Sequence, residues 1–134
     1  MSEWEFIAEV AKRCGCGLLL GLNDSYVNAY NHQFDPLDYL RGIPGERIGQ
    51  FHVAGHTDMG SYLFDTHSRP VIEEVWALYE EVLRRWGPVA TMIEWDEDIK
   101  LQIPMTEQTQ FLFGDWCLVI GYCLERGIWC LVIS

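Results

Sequence analysis

The chain has 134 residues, long enough for one domain with a hydrophobic core and too short for two. It is 49% hydrophobic and 13% aromatic, a composition that excludes a disordered chain. Twenty acidic residues against nine basic ones give a net charge of −11, which argues against nucleic acid or an anionic membrane as the main partner.

The first element in chain order is a helix over "SEWEFIAEVAKRCG". Ser2 and Glu5 fit a capping box, Phe6, Ile7, Val10 and Ala11 fall at helical spacing, and Gly15 can end it. "CGLLLGL" follows as a continuous apolar run, the pattern of a strand buried in a parallel sheet. "NDSYVNAYNHQFDP" is polar and turn-rich and reads as a loop with a short helix, and "DPLDYLRGI" as a second short helical piece. "RIGQFHVAG" is the next strand, and "HTDMGSYLFDTHS" a long loop.

"RPVIEEVWALYEEVLRRWGP" is the strongest helix. Pro70 suits its first turn, and Glu73, Glu74, Arg84 and Arg85 complement the helix dipole. Val71, Val75, Leu78, Tyr79, Val82 and Trp86 form its apolar stripe, and Gly87-Pro88 stops it. "VATMIEW" is a third strand, left by the acidic loop "DEDIK". In the tail "WCLVIGYCLERGIWCLVIS", Glu125 and Arg126 divide two apolar runs, each shorter than the ~18–20 residues of a membrane helix. The tail therefore reads as two short strands around "ERG", or as a buried hydrophobic end, ahead of a membrane anchor.

Alternation of helix and strand argues for an α/β fold with βα units and a parallel sheet. Chemistry in such folds gathers in loops after the carboxyl ends of strands. The polar residues fall there: Asn23 and Asp24 after the first strand, His52 and His56 at the second, Glu94 and Asp96 at the third. Three of the four histidines, His52, His56 and His67, lie in residues 51–70 with Asp58 and Asp65. His52, His56, Asp65, His67 and Glu94 form a nitrogen- and oxygen-rich ligand set suited to iron, zinc or manganese. Asp65-x-His67 can offer two ligands from one loop, since i and i+2 side chains share a side in an extended segment.

Blander readings stand beside this one. His52 lies between Phe51 and Val53 and fits a core histidine, Asp58 and Asp96 fit turn residues, and His32 a turn cap. There is no G-x-S-x-G, phosphate loop or G-x-G-x-x-G. A Cys16–His52 nucleophile pair is disfavoured because Cys16 is expected to begin a buried strand. The five cysteines, Cys14, Cys16, Cys117, Cys123 and Cys130, are odd in number and irregular in spacing. With no basic–apolar–small signal pattern at the N-terminus, they read as free thiols of a cytoplasmic protein.

"EFIAEVAKRCGCGLLL", "NDSYVNAYNHQFDPLDYL", "FHVAGHTD", "FDTHSRPV", "VWALYEEVL" and "MIEWDEDI" together, in order and spacing, resemble the multinuclear non-haem iron-dependent oxidases over residues 2–99. The resemblance covers only the C-terminal half of that pattern. It implies a TIM-type barrel carrying two or three irons at its carboxyl face. It also implies dioxygen-dependent oxidation of cysteines in ribosomally made precursor peptides, with a separate peptide-presenting partner protein. By motif, His52, Asp65, His67 and Glu94 correspond to iron ligands, and Asn23 to a polar position that looks like one. His56 belongs to its motif either as a ligand or as a residue facing the ligands or substrate.

Three departures mark this chain. A complete barrel takes about 250 residues, so residues 1–99 are expected to form a half-barrel completed by a separate N-terminal half or a second copy. Gly21, in "LLLGLN", stands where the family pattern carries an aspartate. Residues 100–134 leave the pattern as a divergent hydrophobic tail. The alternatives to a fragment of the oxidase are an inactive remnant or partner-binding half-barrel, and a zinc- or manganese-dependent barrel isomerase or hydrolase.

Overall fold

The structure is a computed structural model that describes residues 1–96 and the backbone of three later strands, 108–113, 116–123 and 128–133. Helix α1 (Glu3–Cys14) opens with the capping box: Ser2 Oγ accepts from the Glu5 amide, and the Glu5 carboxylate accepts from the Ser2 amide at 2.7 Å. Gly15, in the left-handed conformation at φ 65°, closes it. Strand β1 (Leu18–Gly21) then runs directly into α2 (Leu22–His32).

The polar segment after β1 is thus a three-turn helix rather than a loop with a short helix. Leu22, Asn23, Ser25, Val27 and Ala29 are all buried along it, and Ser25 Oγ donates to the Gly21 carbonyl at 2.7 Å. Burial and satisfied polar groups outweigh the weak helix propensity of its Asn, Asp and Ser residues. Gln33, at φ 56°, ends α2, and Asp35 caps α3 (Pro36–Gly42) through the Leu37 amide at 2.9 Å.

A single 3-10 turn (Gly45–Arg47) leads into β2 (Ile48–Ala54). The following loop contains a small antiparallel ribbon, β3 (Thr57–Asp58) with β4 (Leu63–Phe64). Asp58 takes the turn role expected of it, accepting from the Gly60 amide at 2.7 Å. Helix α4 (Glu73–Trp86) starts three residues after Pro70, with Ile72 as its N-cap, so Pro70 belongs to the approach and not to the first turn. Strand β5 (Ala90–Glu94) completes the fully described part.

Strands β1, β2 and β5 are parallel, with β2 in the middle. The backbone of β6 (Gln108–Phe113), β7 (Trp116–Cys123) and β8 (Ile128–Ile133) extends the sheet in the order β1-β2-β5-β8-β7-β6. β8 lies parallel to β5, while β7 is antiparallel to both β8 and β6. The result is a mixed α/β protein with a parallel sheet. Residues 124–127, the "ERG" turn of the sequence reading, lie outside the described residues, as does the acidic loop from residue 97 onward.

Alternation along the strands sorts side chains by face. Leu20, Phe51 and Val53 meet Val75, Leu78, Tyr79 and Val82 of α4 and Leu40 of α3 in one core. Thr91, paired with Phe51, accepts or donates a 2.9 Å hydrogen bond with Tyr79 Oη. His52, paired with Gly21 and Met92, points to the other face, so it is not a histidine of the helix-packed core. Phe51 is fully buried, edge-on to Tyr79 at 6.0 Å between centroids. Phe51→Ala is expected to cost about 3–5 kcal/mol of stability, read as a lowered urea midpoint at unchanged m-value; a cost below 1 kcal/mol would show that this face is not the core.

Candidate metal centre

The parallel register sets where the polar side chains meet. Gly21 pairs with His52, and Ala54 with Glu94. His52 and Ala54 share a face, so the imidazole and the Glu94 carboxylate leave the sheet on the same side at its carboxyl edge. Their closest atoms, His52 Nε2 and Glu94 Oε2, are 2.9 Å apart.

His67 reaches the same point from the loop after β4. Its Nδ1 is 3.1 Å from Glu94 Oε2, and its ring centroid is 5.0 Å from that of His52. Its Nε2 is 3.2 Å from Asp65 Oδ1, so the two ends of Asp65-x-His67 do converge. They do so because His67 adopts a left-handed backbone, φ 53°, and not because the segment is extended. Two hydrogen bonds fix that conformation: the His67 amide donates to the Gly55 carbonyl at 3.0 Å, and the His67 carbonyl accepts from the Asp96 amide at 2.9 Å. A non-glycine residue in this region is strained, and such strain concentrates at functional sites. The Asp96 carboxylate stands further off, 3.9 Å from His67 Nδ1.

A second row of contacts holds Asp65. Asn23, fully buried in the first turn of α2, donates through Nδ2 to Asp65 Oδ1 and to the Gly55 carbonyl at 3.4 Å. His56 Nδ1 is 2.8 Å from Asn23 Oδ1, and its ring stacks on Tyr26 at 5.4 Å. Burial holds the His56 imidazole below its ordinary pKa despite the charges of Asp58 and Glu74. Burial, then the carboxyl of Asp24, push the Asp65 carboxyl up to about 7, with His67 and Asn23 opposing the rise. Asn31 ties the loop to α2: its Oδ1 accepts from the Leu63 amide at 2.8 Å and its Nδ2 donates to the Leu63 carbonyl at 2.9 Å.

His52, His67 and Glu94 each offer one donor atom within 4.8 Å of the others. The fit to a cation rests on His52. Its Nε2 is buried and, among the described residues, has no aligned hydrogen-bond partner, although Glu94 lies close by. A buried nitrogen left in that state is costly, and a cation facing it would remove the cost. Two imidazoles and one carboxylate match sites that keep open positions for further ligands.

Of the sequence candidates, His52, His67 and Glu94 therefore form the trio, Asp65 adjoins it through His67, and Asn23 and His56 stand behind Asp65. His32 is exposed at the end of α2. Cys16 is exposed, not the start of a buried strand, and it precedes the amino end of β1, while His52 pairs with the carboxyl end; the two do not form a pair. Sequence reasoning gave no role to Gly55. A Cβ there would lie 1.8 Å from the Arg69 carbonyl oxygen and 2.8 Å from that of Pro70, so the loop carrying Asp65 and His67 passes directly over it. Nothing short of that long-range contact reveals it.

A parallel sheet with imidazoles and carboxylates converging at its carboxyl edge defines an α/β protein with a candidate metal centre. The chain belongs to the RiPP precursor modification enzyme family MbnB/TglH/ChrH, whose profile matches residues 1–110. The match runs past residue 99, where the sequence resemblance stops. A UPF0276 protein of Anaeromyxobacter sp. (strain Fw109-5) is 56% identical over 99 residues, covering 74% of this chain and 35% of the relative. UPF0276 proteins of Rhizorhabdus wittichii and Acaryochloris marina are 51% and 49% identical, each covering 82% of this chain and 40% of the relative. The chain thus spans two fifths or less of the length of these relatives. No helix among the described residues is long and apolar enough to cross a membrane.

Two outcomes follow from this geometry. Gly55→Ala removes no donor but forces the 65–70 segment away, and is expected to lower the metal bound per chain by at least about tenfold; parent-like metal content would show that the close passage does not set the site. In the metal-free chain, the raised Asp65 pKa means that the folded state keeps a proton the unfolded state has lost between pH 4 and 7. Stability therefore falls as pH rises through that window, and Asp65→Asn should flatten the slope in urea melts; an unaltered slope would assign the proton elsewhere.

Proposed function

We propose that this chain is the C-terminal half of a TIM-type barrel oxidase. Its complete site holds iron and modifies cysteine residues of ribosomally made precursor peptides with dioxygen. Family membership supports the peptide substrate. The observation that carries the iron reading is the convergence of His52, His67 and Glu94 at a buried imidazole nitrogen that has no aligned hydrogen-bond partner among the described residues.

The half-barrel reading draws on the sheet. Helices pack on one face, while Leu19, His52, Met92 and Glu94 occupy the other, as interior residues do in a (β/α) barrel. β1 is the sheet's edge strand, and Leu19 is 55% exposed upon it. A strand edge of this kind needs cover, and the N-terminal half of the barrel, or a second copy, would supply it together with the remaining ligands. Residues 1–99 form the barrel half in this reading, with residues 100–134 an appended tail.

Bound iron would supply redox capacity toward dioxygen and an anchor for a substrate thiolate. The chain's own residues have separate tasks. His52 and Glu94 fix one position on the rigid sheet. His67 reaches the same position from the loop, with its backbone held at two points. Asn23 and His56 keep Asp65 oriented. A peptide-presenting partner protein would bring the cysteine to this edge, and a reducing cytoplasm would keep the thiol available.

The test is anaerobic expression with metal quantification, alone and with a polypeptide carrying the N-terminal half. Iron is expected to predominate, and His67→Ala should lower it by about tenfold or more while the far-UV spectrum stays unchanged, because loop ligands are not core residues. Unchanged iron would remove His67 from the site, and predominant zinc or manganese would overturn the oxidase. With the completed barrel, a cysteine-containing precursor peptide should change mass only in the presence of iron and dioxygen.

A further inference from the structure

Cys14, Gly15 and Cys16 belong neither to the metal centre nor to the core. They join the end of α1 to the start of β1. Both cysteines are free thiols, and every residue from Lys12 to Gly17 is exposed. Cys16 precedes the amino end of β1, whereas the polar cluster gathers at its carboxyl end, level with His52.

The geometry of the turn suits a bridge between the two thiols. Gly15 has φ 65° and ψ 18°, in the left-handed region. A residue there turns the chain as tightly as a helical one, so the Cα atoms on either side of it stand about 5.5 Å apart. Disulfide-bonded pairs are most frequent near that separation. An extended residue at position 15 would hold them about 6.7 Å apart, at the far limit for a bridge. Glycine takes the left-handed conformation without steric cost, and a Cβ at Gly15 would meet nothing within 4 Å, so no other part of the chain crowds the turn.

The backbone is held from both sides. Cys14 closes the last turn of α1, and the Cys16 carbonyl accepts from Arg47 Nη1 at 3.4 Å. Gly17 then passes against Arg47, where an added Cβ would lie 3.4 Å from the carbonyl oxygen. The fold therefore fixes the backbone that a 14–16 bridge requires, and side-chain rotation is all that remains.

We propose that Cys14 and Cys16 form a reversible dithiol–disulfide site that exchanges with small disulfides of the glutathione type. One cysteine, as thiolate, attacks a sulfur of the incoming disulfide, whose S–S bond breaks as a first small thiolate leaves. The other cysteine, as thiolate, attacks the protein sulfur of the mixed disulfide, and the second small thiolate leaves. Two electrons pass from the cysteine pair to the incoming disulfide, and the protons of the pair go to the two departing thiolates. The products are an internal Cys14–Cys16 disulfide and two small thiols; excess thiol drives the same steps backwards. Exposed disulfides are the labile, exchanging kind, and those that form in reducing surroundings are transient.

The sequence supplies a clean readout. Trypsin cuts after Arg13 and Arg41, so these two cysteines and no others travel in peptide 14–41. The full chain is equilibrated with oxidised and reduced glutathione over a range of ratios, quenched in acid, alkylated, digested and analysed by mass. Peptide 14–41 is expected to convert to a form that takes no alkyl group and is lighter by two hydrogens than the dithiol. Added reduced glutathione should reverse the change. C14S and C16S should each stop at the mixed disulfide with glutathione.

The same equilibration in concentrated urea measures what the fold contributes. With the backbone released, the equilibrium constant for closing the bridge should fall by about tenfold, the cost of fixing one residue. Equal closure in urea and in buffer would overturn the role given to the turn. A peptide 14–41 that stays a dithiol across the series, or that carries two glutathione adducts, would overturn the exchange site. Peptide 14–41 cross-linked to a peptide holding Cys117, Cys123 or Cys130, in place of the internal form, would overturn the pairing.

Discussion

The register of β2 between β1 and β5 is the constraint on which the site depends. Gly21 is level with His52, and Ala54 with Glu94, so three strand ends finish at one edge. Because the side-chain period is two, a slip of one residue would bring Phe51 or Val53 to the polar face and carry His52 into the helix layer. Full burial of Phe51 and Val53 guards against this, at about 1.5–3 kcal/mol for each side chain. The hydrophobic core thus works as the alignment device for a polar site on the opposite face. Stability and site geometry are one property here.

A second layer of order comes from the loop, which has no core of its own. The backbone at Arg69 and Pro70 lies against Gly55, and the Gly55 carbonyl accepts from both the His67 amide and Asn23. Asn31 fastens β4 to the end of α2, and the hydroxyls of Thr57, Thr66 and Ser68 join at 2.8–3.4 Å. Helix α2 is therefore more than a connection. Its first turn supplies Asn23, and its last supplies Asn31, so one rigid rod sets both ends of the loop.

Much of this was legible in the sequence where the signal is local. The capping box at Ser2 and Glu5, the apolar stripe and charge bias of α4, and the apolar strands all declare themselves within a few residues. So does the gathering of imidazoles and carboxylates at strand ends. The reading failed where tertiary contacts decide. α2 has a loop-like composition and is helical because Leu22, Val27 and Ala29 find a core. Phe51 and Val53 left a core reading of His52 open beside the ligand one, because flanking hydrophobicity does not say which face a strand residue takes. Gly21, read as a lost carboxylate, leaves space that the Asp24 carboxyl fills, and Gly55 carries no local mark at all.

His67 faces opposing demands. Its left-handed backbone would sit more easily in glycine, and replacing a side chain there by glycine would relieve strain of the order of 1–2 kcal/mol. The same change would delete the imidazole that links Glu94 to Asp65. Drift toward greater stability and retention of the centre therefore pull this codon in contrary directions. A lineage that had ceased to use the site would be free to take the more stable residue, and a histidine at this position is a physical cost still being borne.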